Sequence, residues 1–88
     1  MSASNANGPV RLTLYARTYC HLCEEMLAEL NALRDALVIE IDVVDVDSDP
    51  ELEARYGEWV PVLAHGETRI CHYHLDPGKL TAHLSAFR

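Results

Sequence analysis

The sequence predicts an α/β fold: a four-stranded mixed sheet with helices on both faces, in the order β-α-β-α-β-β-α. Three observations lead there. A short run that alternates apolar and other residues precedes a long run whose apolar residues recur at steps of three and four, first a strand and then an amphipathic helix. Asp49-Pro50 and Asp76-Pro77 each open a further helical run with a capping acid and a proline at the first helical position. Two β-like runs separated by His65-Gly66-Glu67-Thr68 make an antiparallel hairpin. A strand, a helix and a strand in succession favour a parallel pair with a right-handed crossover, and the hairpin makes the sheet mixed.

The 88 residues suffice for one small domain with a single core. Apolar residues make up 49% and charged ones 24%, an ordinary globular balance. Fourteen acids against seven Lys and Arg leave a net charge of −7, which argues against nucleic acid and anionic membrane as partners. No apolar run approaches the length of a membrane span. Residues 1–9 are small and polar without the basic and apolar regions of a secretory signal, and read as a disordered lead-in to a domain over 10–88. Three cysteines without an export signal point to a reducing cytoplasm, where a close pair is catalytic or metal-binding rather than a staple.

In chain order, Val10 to Tyr15 sets Val10, Leu12 and Leu14 on one face of a first strand and Arg11, Thr13 and Tyr15 on the other. After a loop over 16–19, a helix runs from Cys20 to about Leu37. Leu22, Met26, Leu27, Leu30, Leu33 and Leu37 form its stripe, and Glu24, Glu25 and Glu29 face out. Val38 to Val46, interleaved with Glu40, Asp42 and Asp45, reads as an edge strand whose charges discourage pairing with other chains. The second helix places Leu52 and Tyr56 inward, pairs Glu51 with Arg55 on its surface and ends at Gly57. Trp59 to Leu63 enters the third strand and Arg69 to Tyr73 forms the fourth. Leu80, Leu84 and Phe87 make the buried stripe of the last helix, with His83 beside it.

Cys20-His21-Leu22-Cys23 lies where the first strand hands over to the helix. Two thiols three positions apart at a helix start can close into a disulfide or hold a metal. The strand-like run before them makes a redox motif the preferred reading. A helix N-terminus carries partial positive charge and free N–H groups, which stabilise a thiolate at Cys20; the nearby Glu24 and Glu25 partly oppose this. Cys23, one turn inward, lies on the inner side. Structural zinc asks for four ligands, so the pair alone makes a weak metal site.

A strand ending in Leu14-Tyr15, a short loop, Cys20-x-x-Cys23 on a helix start and a later Val60-Pro61 opening a strand resemble the thioredoxin fold. Within it the chain is similar to small glutaredoxin-like proteins over nearly all of residues 10–88. The resemblance implies a thiol–disulfide oxidoreductase: Cys20 is the nucleophile, Cys23 resolves the mixed disulfide, and Pro61 is cis and lies against the pair. The Val60 backbone then pairs with a bound peptide or with glutathione. Arg17 stands where glutaredoxins commonly place a lysine that meets the glutathione carboxylate. The partner implied is a disulfide-containing protein or a low-molecular-weight thiol. No bound cofactor or metal is expected, glutathione is the candidate reductant, and the chain is expected to act as a monomer.

The chain also departs from the family pattern. His21 and Leu22 replace the usual proline and tyrosine between the cysteines, and His21 is a candidate cation beside the nucleophile. Cys71-His72-Tyr73-His74 replaces the glycine pair that receives the glutathione backbone. Centring the hairpin on Gly66-Glu67 pairs Pro61 with about His72. This brings Cys71, His72 and His74 near the site, Cys71 on the opposite strand face from the two histidines, with Tyr15 as a further neighbour. A buried Cys71 acting as a small hydrophobe and solvated histidines are favoured over a third redox thiol. The alternatives are a metal or iron–sulfur module built on the pair with Cys71 or His72, and a non-catalytic interaction module.

Overall fold

The structure, a computed structural model, describes residues 8–88. The chain runs as β1 (Val10–Ala16), α1 (His21–Leu37), β2 (Ile39–Asp45), a 3-10 turn (Val46–Ser48), α2 (Pro50–Tyr56), a second 3-10 turn (Gly57–Trp59), β3 (Val62–His65), β4 (Thr68–His72) and α3 (Pro77–Phe87). The strands form one sheet in the order β2-β1-β3-β4, with β1 parallel to β2 and both other pairings antiparallel. Residues 1–7 of the expected lead-in lie outside the described residues.

The alternation along β1 decides the layers. Val10, Leu12, Leu14 and Ala16 are buried on one face, where Met26 and Leu30 of α1 and Leu80 and Leu84 of α3 complete the main core. The opposite face carries a second cluster of Val46, Tyr56 and Val62, packed by Tyr15, Leu52 and Val60 under α2. Helices therefore cover both faces. β2 is the edge strand, and its outward Glu40 and Asp42 both meet Arg11 of β1, at 2.6 and 2.9 Å. Exposed pairs of this kind add little stability but blunt the edge. Asp49 and Asp76 cap α2 and α3 through their side chains, accepting from the backbone N–H of Glu51 and Lys79.

Five local expectations are corrected. Phe87 is 59% exposed and lies across His65 (ring centroids 4.5 Å apart), because the last turn of α3 overhangs the sheet end instead of the core. Arg55 reaches across to Glu67 on the hairpin at 3.6 Å and forms no close pair with Glu51, since α2 packs beside that turn. β3 begins only at Val62, because Gly57–Trp59 coils into a 3-10 turn. In β4 an extra residue, Ile70, interrupts the pairing between Leu63↔Cys71 and Ala64↔Arg69. This bulge shifts the register by one, so His72 stands opposite Val62, and Pro61 accepts a hydrogen bond from Tyr73 N–H at 2.9 Å.

The fifth concerns Val38, expected in the second strand but found as the left-handed C-cap of α1 with φ 54°. Glycine is the usual occupant there, and a β-branched residue is strained. The Val38 carbonyl accepts from Val10 N–H at 3.1 Å and from Arg88 Nη2 at 2.7 Å, and Arg88 also reaches the Leu37 carbonyl at 2.6 Å. The last residue of the chain thus satisfies the open end of the first helix.

Val38→Gly removes the left-handed penalty from a half-exposed side chain and is expected to stabilise the domain by about 1 kcal/mol in urea unfolding. Leu30→Ala, at a position with no exposed surface, is expected to cost about 3 kcal/mol. Phe87→Ala is expected to cost less than about 1 kcal/mol, which separates overhang from core in the same measurement.

Candidate functional site

The site begins where β1 ends. β1 lies between β2 and β3, paired to the one through Ala16 and to the other through Tyr15, and only three residues separate Ala16 from Cys20. The chain turns through Thr18 and Tyr19, the latter left-handed at φ 61°, and Cys20 emerges extended as the N-cap of α1. Its Sγ accepts the backbone N–H of Cys23 at 3.1 Å, and its carbonyl accepts Glu24 N–H at 3.1 Å. A sulfur here does what a Ser or Asp oxygen does at an ordinary N-cap. Cys20 and Cys23 are joined in a disulfide, with Cα atoms 5.2 Å apart. Cys20 is half-buried and Cys23 only 4% exposed, so the outer sulfur is the reachable one.

The second wall comes from the entry to β3. The Val60–Pro61 bond is cis, and Pro61 is fully buried. Tyr15 pairs with Val62, and continuing that antiparallel register sets Pro61 beside Ala16, at the sheet end from which Cys20 departs. Val60 lies outside the sheet ladder, between the second 3-10 turn and the start of β3. After β4 the chain turns through Tyr73, left-handed at φ 65°, and runs back over the start of α1. There Tyr73, His74 and Leu75 line a small pocket of about 60 Å³ with Leu22, Glu25, Met26 and Glu29.

Three aromatic side chains that the sequence reading did not single out stand around this region. Tyr19, directly before Cys20, is 97% exposed. Trp59, directly before Val60, lies 5.4 Å from the His72 ring and 6.1 Å from the Tyr73 ring. The Tyr73 hydroxyl donates to the Glu58 carbonyl at 2.9 Å, tying the end of β4 to the turn before β3. The available signal was that the chain's single Trp directly precedes Val60-Pro61.

The structure distributes the candidate tuning residues unevenly. Arg17, expected to face the thiols or an incoming carboxylate, instead ion-pairs with Glu53 and lies 3.2 Å from Asp47, joining the end of β1 to the segment around α2. Its guanidinium is drawn there because two carboxylates converge on that face of the sheet. His21 is largely exposed and its Nε2 meets Glu25 Oε2 at 2.9 Å, one turn along α1, instead of turning to the Cys20 sulfur. Tyr15 stacks on Tyr56 with ring centroids 3.9 Å apart, in the second cluster; burial raises its phenol above the ordinary range. Cys71 is a free, buried thiol in the main core, and burial raises it as well. His72 is exposed on the opposite strand face, edge-on to Trp59. Among the described residues no three Cys, His, Asp or Glu side chains converge as a metal-binding group. Nor is any described helix long and apolar enough to cross a membrane.

Comparison with known proteins adds the following. Residues 11–85 match the model of the glutaredoxin-like domain (DUF836). A Nitrosomonas europaea protein solved by solution NMR is similar at 38% identity and TM-score 0.77, over 85% of this chain and 91% of that one. An X-ray structure from X. campestris is similar at 40% identity and TM-score 0.64, over 85% and 96%. Fasciola hepatica thioredoxin, at 20% identity and TM-score 0.62 over 97% and 86%, shares the fold. A search of curated proteins finds no match.

The burial of the three sulfurs sets an order of reactivity. In reduced, folded protein, iodoacetamide is expected to alkylate Cys20 first, Cys23 slowly and Cys71 only after unfolding, as read by peptide mass spectrometry. Arg17→Ala is expected to lower stability by at most about 1 kcal/mol while leaving the Cys20 alkylation rate unchanged.

Proposed function

The chain belongs to the glutaredoxin-like domain family, and from that premise we propose that it is a dithiol–disulfide oxidoreductase working through Cys20 and Cys23. The observation that supports this most directly is the first turn of α1. There Cys23 N–H points at the Cys20 sulfur, whose partner sits one turn inward and shielded. In the reduced protein that N–H and the helix N-terminus stabilise Cys20 as a thiolate, the form that attacks disulfides.

The reaction divides into two exchanges. The Cys20 thiolate attacks one sulfur of a substrate disulfide; a Cys20–substrate bond forms, the substrate bond breaks, and the first substrate thiolate leaves. The Cys23 thiolate then attacks Cys20 Sγ, closing the intramolecular disulfide and releasing the second substrate thiolate. Two electrons have passed from the protein to the substrate, and the Cys20–Cys23 disulfide is the oxidised form of the couple. Two equivalents of a thiol donor return it to the dithiol. Glutathione is the low-molecular-weight donor that the family implies.

Val60 supports substrate positioning in this reading. Lying outside the sheet ladder, its extended backbone offers a peptide a short strand-like contact beside buried Pro61. The protein is read as a cytoplasmic monomer with a resident disulfide and no bound cofactor. Its partner is a disulfide-bearing protein or small thiol, with no role for nucleic acid or membrane.

Equilibration with mixtures of reduced and oxidised glutathione, read by mass, is expected to show a single two-electron transition between dithiol and disulfide. Cys20→Ser is expected to abolish reduction of a disulfide-bonded peptide, and Cys23→Ser to accumulate a covalent adduct with the peptide. Full turnover by the Cys20→Ser protein would overturn this mechanism.

A further inference from the structure

The substrate class can be read from where the charges go, and this deepens the oxidoreductase reading on which it rests. Arg17, the Lys or Arg closest in sequence to Cys20, is held by Glu53 and Asp47. Arg11 is held by Glu40 and Asp42, and Arg55 faces Glu67. Arg69 lies over the Tyr56 ring, with its centre 4.8 Å from the ring centroid. Arg34 and Arg88 serve the far end of α1, a helix of 17 residues and so about 25 Å from the cysteines. Lys79 remains, in the first turn of α3. The mouth of the site is acidic: Glu24 and Glu25 lie in the first turns of α1, Glu25 meets the His21 ring at 2.9 Å and with Glu29 lines the pocket against Tyr73 and His74, and Glu58 adjoins Trp59.

Glutathione brings two carboxylates and one ammonium, a net anion, to a mouth that offers carboxylates and no uncommitted guanidinium. A polypeptide with a Lys or Arg beside its cysteine brings the opposite sign. Its aliphatic stem and cation match the exposed faces of Trp59 and Tyr73, to which a cation is attracted. We propose that the substrate is a disulfide-bearing protein segment with a Lys or Arg flanking the cysteine. It lies extended along Val60, with the cation against Trp59 and Tyr73 and facing Glu25 and Glu29. The exchange is the one written above: the segment's disulfide is reduced to two thiols as Cys20 and Cys23 close theirs.

The test is a single turnover of fully reduced protein, followed by loss of free thiol. Three disulfide-bonded peptides that differ only in Lys, Ala or Glu beside the cysteine are compared with glutathione disulfide. Each rate is referred to that of dithiothreitol with the same disulfide, which removes intrinsic reactivity. The Lys peptide is expected to react about tenfold faster than the Glu peptide at low salt, the gap closing as salt is raised. The double variant Glu25→Gln, Glu29→Gln, altered at exposed positions, is expected to narrow the gap, and Trp59→Ala to slow the Lys peptide most. Equal referred rates, or glutathione disulfide fastest, would overturn the substrate assignment and leave the oxidoreductase reading standing. If no disulfide oxidises the Cys20–Cys23 pair, the oxidoreductase reading fails and this inference fails with it.

Discussion

The hydrogen bond from Cys23 N–H to the Cys20 sulfur is the contact on which the rest of the site depends. An α-helix leaves its first N–H groups without partners, and something must accept from them. Here the acceptor is the residue to which the proposed reaction assigns the attacking sulfur. One sulfur thus caps the helix and is oriented by it, and the spacing of three residues is the spacing of an N-cap interaction as well as of a small disulfide ring. Moving either cysteine by one position would lose both.

That cap needs a fixed origin, which the sheet supplies. β1 is hydrogen-bonded on both sides and buried on one face, so the three-residue connection to Cys20 starts from a fixed point. On the other face, Tyr15 stacks on Tyr56, Arg69 covers the outer side of that ring, and Arg17 bridges to Asp47 and Glu53. These contacts hold α2 to the sheet and use up cations that the sequence alone would have left available to a ligand. The electrostatics of the mouth therefore follow from the packing of the opposite face.

Tyr19 and Tyr73 both hold left-handed backbone conformations, which non-glycine residues adopt at a cost of about 1–2 kcal/mol each. Both stand next to the site, one directly before Cys20 and one hydrogen-bonded to the Pro61 carbonyl. Strain of this kind persists where surrounding contacts over-determine it and is common at functional surfaces. For Tyr73 those contacts are its N–H to Pro61, its hydroxyl to Glu58 and the rings of His72 and Trp59. Val38 is strained too, but at the opposite end of α1, where the reason is a cap completed by Arg88.

Much of the molecule was legible in the chain. The β1 alternation, the Met26 and Leu30 stripe, the Asp-Pro helix starts and the Gly66 turn are local signals, set by period and by backbone preference. They were enough for element order, sheet type, the edge position of β2 and the reachable outer cysteine. The ion pairs of Arg17 and Arg55, the one-residue shift at Ile70, the exposure of Phe87 and the grouping of Trp59 with Tyr73 depended on which segments meet across the sheet. Sequence by itself determined which residues could make a redox pair and on what scaffold, because periodicity and capping act within a few residues. Only the tertiary structure decided which charges were left uncommitted near the cysteines, because a salt bridge between positions 17 and 53 is written in no local pattern.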